Sequence, residues 1–297
     1  MSHREPAMLS LFISEIEARV HCLLPDAMAA LSELWAGCRV PIVPATTRVT
    51  IEVGSLEGDR ACSILLDGEL VAVAEQPADV VPLIESALYK ALHRQQADRA
   101  LLHAACVVIP GCDESLVLVG PSGSGKSSLA LAAVERGYRY LTDELTVTDG
   151  TRLWGVPRAI QFEPVHASHA LPPRLAASDL GLYAVRLGGM GDQLEALGAV
   201  PVRVPVAHEL VMTPLPVKAA RIVRIERGTT SKCETLSALA ALSELHEASF
   251  VPPAFSLGAM VGRGRAFRLV WRDPTEGLAL LERVIMQTPA PSIRPLA

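Results

Sequence analysis

The chain has 297 residues, 50% of them hydrophobic and 20% charged, with a formal net charge of −5. That is enough apolar material for a packed core, and it excludes wholesale disorder. A mildly acidic balance without a Lys/Arg-rich run, with aromatics at 4%, argues against a nucleic-acid-binding surface.

Mean hydropathy is positive. The longest apolar stretches, such as 101–112, nevertheless fall short of the ~20 residues a membrane-crossing helix needs. His3, Arg4, Glu5, Glu15, Glu17 and Arg19 break up what would be the apolar centre of a signal peptide. A cytoplasmic protein without a membrane partner is expected. The six cysteines, Cys22, Cys38, Cys62, Cys106, Cys112 and Cys233, form no CxxC pair and no zinc spacing with His, so reduced thiols are expected.

In chain order, residues 8–24 read as extended. Pro25 and Asp26 start a helix that Gly37 stops. Residues 47–53 alternate with period two, as a half-buried strand does, and 63–74 read as a hairpin around Asp67-Gly68. A helix is expected over 78–99, with Val81, Ile84, Leu88 and Leu92 on one face. Its polar end, HRQQADR, divides a small α+β N-terminal domain, 1–99, from a main domain, 100–297. Paired strands follow at 104–109 and 115–119, then a Gly-rich loop, a helix over 126–136, a Gly137 stop and a strand over 138–142. Later strands are expected at 202–206, 210–213 and 221–226, and a last helix at 275–286 before a Pro-rich tail. The Gly- and Pro-rich stretch 166–198 reads either as an irregular surface connection or as a lid closing over a site.

The loop carries the chemistry. Gly120, Gly125, Lys126 and Ser127 satisfy G-x-x-x-x-G-K-[ST], with an apolar strand entering and a helical segment leaving. Holding several phosphate charges requires backbone N–H groups turned inward, which Gly120, Gly123 and Gly125 permit. The helix start adds unpaired amides and a positive dipole end. Lys126 is placed to reach the β- and γ-phosphates of ATP, and the Ser127 hydroxyl to ligate Mg²⁺. Residues Gly120, Pro121, Ser122, Gly123, Ser124, Gly125, Lys126, Ser127 and Ser128 form the expected nucleotide cradle. Asp143 and Glu144 follow the next strand, where ligands of α/β sheets bind. One of the two carboxylates can hold Mg²⁺ while the other takes a proton from an attacking hydroxyl. Arg158, Arg186, Lys218 and Arg221 are cations outside the loop that could reach phosphate or substrate, with solvated surface charge as the plainer reading.

His103 followed by GPSGSGKSSLALAAVERGYRYLTDE resembles the catalytic domain of the HPr kinase/phosphorylase family and its HPr kinase-related relatives. The resemblance is strong over 100–165. It implies the α/β fold shared with phosphoenolpyruvate carboxykinase, a twisted mixed sheet, with ATP and Mg²⁺ as cofactors. It also implies phosphate binding by Gly123, Gly125 and Lys126, a metal role for Ser127 and Asp143, Glu144 at the general-base position, and His103 supporting that base. Two departures, Glu144 where the parent family has Asp and no E-x-R-G-[LI]-G segment, point away from reversal of phosphorylation and from HPr as acceptor. The implied activity is a kinase acting on a serine of a peptide or small protein, as in the peptide-tailoring relatives. A small-molecule kinase and a non-catalytic ATP sensor are the alternatives. The parent family forms oligomers, so a homo-oligomer is implied.

Overall fold

The computed structural model describes residues 7–39, 44–55, 61–95, 98–111, 114–162, 183–184, 202–204, 216–250, 257–263 and 265–287. They divide into two compact units, the first drawn from 1–97 and 155–215, the second from 98–154 and 216–297.

The first unit opens with β1 (Ala7–Ile13) and β2 (Ile16–Cys22), an antiparallel hairpin where the sequence reads as one extended stretch. Ser14 reverses the chain with a φ of 58°, and no Gly or Pro marks the turn. α1 (Pro25–Leu34) starts on a proline, whose missing N–H costs nothing at a first helical position, and carries Asp26 in its first turn. It leads to β3 (Thr47–Ser55), parallel to β2. β4 (Cys62–Leu66) and β5 (Glu69–Ala74) complete the sheet β1-β2-β3-β4-β5. The β4–β5 turn has positive φ at both Asp67 and Gly68, as a two-residue hairpin turn requires. Asp67 Oδ1 also accepts the Thr50 amide at 2.7 Å, pinning the turn to β3. α1 and α2 (Val80–Gln95) pack on this sheet. Strand residues Leu11, Val20, Ile51 and Ile64 and helix residues Leu31, Ile84 and Leu88 are all buried. Each contributes roughly 1.5–3 kcal/mol by leaving water.

The second unit begins with β6 (Ala100–His103), β7 (Ala105–Val108), β8 (Glu114–Val119), α3 (Lys126–Glu135), β9 (Arg139–Thr142), β10 (Leu145–Thr148) and β11 (Arg152–Gly155). The chain then returns to the first unit. Ala159 donates its amide to Leu34 O at 2.6 Å. Buried Arg158 lies 3.8 Å from buried Glu85, which also accepts Trp35 Nε1 at 3.1 Å. β12 (Ile160–Phe162), β13 (Tyr183–Ala184) and β14 (Val202–Val204) form a small sheet, β12-β14-β13. Most of the 166–198 stretch and the expected strand at 210–213 lie outside the described residues.

The second unit ends with β15 (Val217–Arg227), β16 (Lys232–Thr235), α4 (Ala238–Glu247), α5 (Gly258–Arg263), β17 (Arg265–Trp271) and α6 (Pro274–Gln287). Its mixed sheet runs β6-β10-β11-β15-β8-β7-β9, with β17 on β15 and β16 outside β17. β15 is parallel to both β8 and β17. β7 runs antiparallel between β8 and β9, so those two point the same way. The carboxyl ends of β8, β9, β15 and β17 therefore share one edge. Val107, Leu118, Ile225 and Leu269 pack against Leu129 and Ala133 of α3 and Leu278 of α6. Alternate residues Cys106, Val117, Val119 and Ile222 pack with Ala241 and Leu245 of α4 and Met260 of α5. Burial on both faces explains why the central strands read as unbroken apolar runs.

Candidate functional site

β8 ends at Val119, and the chain passes through Gly120 into a loop whose crest, Pro121 to Gly123, is exposed. Two glycines are dictated by geometry. A Cβ on Gly120 would stand 2.7 Å from Ile225 O, the backbone of neighbouring β15. Gly125, the N-cap of α3, has a φ of 91°, and its Cβ would stand 2.1 Å from Trp271 Cζ2. Gly125 O accepts the Leu129 amide at 3.0 Å and starts the helix ladder. With no capping side chain and no acid in its first turn, the start of α3 suits an anion.

Lys126 is 6% exposed, and its Nζ donates to Gly120 O at 2.8 Å and Pro121 O at 3.2 Å. Burial pushes its pKa below the ordinary lysine value, and the charge of Asp143 partly opposes that. The Asp143 carboxylate is thus close enough to act on the ammonium. Ser124 Oγ is buried without a hydrogen-bond partner among the described residues, an orphan that a phosphate oxygen would satisfy. Ser127 and Ser128 are partly exposed in the first turn of α3.

Asp143 follows the last residue of β9 and is 2% exposed, and its Oδ1 accepts the Tyr140 hydroxyl at 2.9 Å. Thr142 Oγ1 accepts the amides of Glu144 and Leu145, at 3.4 and 3.2 Å, and tightens the turn into β10. Glu144 is partly exposed, and its carbonyl accepts the Ala104 amide at 3.0 Å. His103 stands opposite Leu145 in the β6–β10 register, one position from Glu144. Its amide donates to Ala248 O at 2.6 Å, and its ring lies 5.8 Å from that of Phe250. The loop and the acid pair thus occupy one sheet edge, and His103 adjoins the pair.

The cations considered outside the loop are elsewhere. Arg158 is buried beside Glu85 in the first unit. Lys218 and Arg221 lie toward the start of β15, away from the loop, and Arg221 pairs with Glu114 at 3.2 Å. Arg186 lies outside the described residues. Sequence reasoning passed over Tyr140, three positions before Asp143 and so assignable in principle to its support. It also passed over Arg227 and Trp271.

The residues present fit a nucleotide with Mg²⁺: an open crest, a helix start without a capping side chain, an ammonium and an orphaned hydroxyl. Among the described residues no group of three or more His, Cys, Asp or Glu side chains converges to hold a metal. Mg²⁺ is commonly held by one or two protein oxygens with phosphates and water, which Ser127 and Asp143 suit. No helix among the described residues is long and apolar enough to cross a membrane.

No family model matches the chain, and no curated protein does. Among solved structures, it is similar to that of the HPr(Ser) kinase/phosphatase from Coxiella burnetii, with 11% identity and a TM-score of 0.29 over 63% of this chain and 91% of that one. At that TM-score the likeness decides nothing about chemistry.

Proposed function

We propose that the protein is an ATP-dependent phosphotransferase that moves the γ-phosphoryl group to a hydroxyl, that of a serine in a peptide or small protein. The observation that carries this reading is the placement of the glycine-rich loop with its buried Lys126 after β8 and of Asp143 after β9, at one edge of the same sheet. The loop amides and Lys126 would grip the phosphates, and Ser127 and Asp143 would hold Mg²⁺, which would neutralise charge on the phosphoryl oxygens. Tyr140 fixes the Asp143 carboxylate through its hydroxyl. Glu144, less buried than Asp143, accepts the proton of the attacking hydroxyl, and His103 on the adjacent strand orients it. The acceptor oxygen forms the new bond to phosphorus as the bond to the ADP oxygen breaks. Catalysis is then mainly positioning and charge neutralisation.

The test is transfer of label from γ-labelled ATP, with Mg²⁺, to a panel of serine-containing peptides, small proteins and hydroxylated metabolites. Wild type labels a peptide or protein, while Glu144→Gln lowers the rate by roughly 10²–10⁴-fold and keeps ATP binding. ATP binding without label on any acceptor would replace the reading with an ATP sensor.

A further inference from the structure

We infer that Arg227 grips the nucleoside side of the bound nucleotide from a seat on the Trp271 ring, an inference that rests on the phosphate-loop reading above. Arg227 is the last residue of β15 and stands opposite Trp271 of β17. Its guanidinium carbon lies 4.9 Å from the centroid of the indole. The ring itself is fully buried, and it is the same ring that a Cβ on Gly125 would strike. One rigid side chain therefore touches both the glycine that starts α3 and the guanidinium. Val223 and Ile225 pack on the α3–α6 side of the sheet, so strand alternation puts Arg227 on that side too, at the edge where the loop emerges. Arg227 is exposed, and among the described residues no carboxylate pairs with it.

Sheet order decides which part of a nucleotide it meets. The loop leaves β8, whose two neighbours are β7 and β15. Beyond β7 lies β9, which delivers Asp143; on the other side, β15 delivers Arg227. A phosphate chain lying across the loop with its terminal group toward Asp143 has its α-phosphate and nucleoside toward Arg227. A planar guanidinium suits either, with paired N–H donors for a phosphate or a flat face for a base. Stacking on Trp271 holds that plane in place before the ligand arrives.

Titration calorimetry with ADP, ATP and inorganic pyrophosphate on the full chain tests this. Arg227→Ala, a change at an exposed position, is expected to weaken ADP and ATP equally, by about tenfold. Pyrophosphate, which fills only the two loop phosphates, is expected to keep its affinity. Weakening of ATP alone would place Arg227 against the terminal phosphoryl group and overturn the inference. So would unchanged binding of all three, or a matching loss with pyrophosphate, which would indicate a disturbed loop. Lys126→Ala is the control: if it leaves all three untouched, the phosphate-loop reading fails first, whatever Arg227→Ala does.

Discussion

Replacing Gly125 with alanine tests how the loop is built. At a φ of 91° an alanine is strained by roughly 1–3 kcal/mol before any contact is counted. Its Cβ would also stand 2.1 Å from Cζ2 and 2.8 Å from Cη2 of Trp271, a fully buried ring. Overpacking a filled core costs typically about 1–3 kcal/mol more. The sum, about 2–6 kcal/mol, is a large share of an ordinary domain's stability. Gly123→Ala is the matched control. Its φ is 76°, but nothing lies within 4 Å of the added carbon, so it bears the backbone term alone. Hydrogen exchange of the β8 and β17 amides, followed in urea, reads the opening free energy of the second unit directly. Gly125→Ala should open this region at least ~1 kcal/mol more readily than Gly123→Ala. Equal costs would mean that Trp271 does not lie against the loop and does not seat Arg227 beside it.

Two pH effects follow from the charge network. Glu226 accepts hydrogen bonds from Arg268 and Arg224, which hold its carboxyl below the ordinary glutamate value against the opposing effect of burial. A folded pKa below the unfolded one stabilises the protein above the ordinary glutamate range, and that stability is lost as pH falls through the folded value. Glu226→Gln should therefore flatten the acid limb of a thermal-denaturation profile; an unchanged limb would discount the network. The Lys126 pKa is lowered too, which in a lysine favours the neutral form. Burial lowers its pKa, so its ammonium should be lost, and ATP affinity fall, at a lower pH than an exposed lysine would give. Calorimetric titration of ATP across the alkaline range checks this, and an affinity that holds through the ordinary lysine pKa would contradict it.

Signals carried by local chemistry were legible in the sequence. Asp67-Gly68 marks a turn because both residues need positive φ, and the structure has both. The apolar run before Gly120 and the helix after it frame the loop, and Gly137 stops α3 with a φ of 88°. β10 was missed because it is four residues long and enters from Asp143 and Glu144, a turn made by Thr142 rather than by Gly or Pro. β17 was missed because Arg268 interrupts its apolar pattern. That arginine is accommodated by Glu226 of the adjacent strand and Glu234 of β16, partners no local window contains. The start of β15 was passed over for a related reason: Lys218 faces solvent where the strand pairs with β11. Trp271 and Arg227 acquire meaning only when two parallel strands bring them into register beside the loop.

The central claim is that residues 120–127 hold a triphosphate. Calorimetric titration of ATP with Mg²⁺ into the wild-type chain and into Lys126→Ala tests it most directly. Saturable one-to-one binding that the substitution weakens by two orders of magnitude or so is the expected result, since the ammonium meets two phosphate groups. Indistinguishable isotherms for the two proteins would contradict the account.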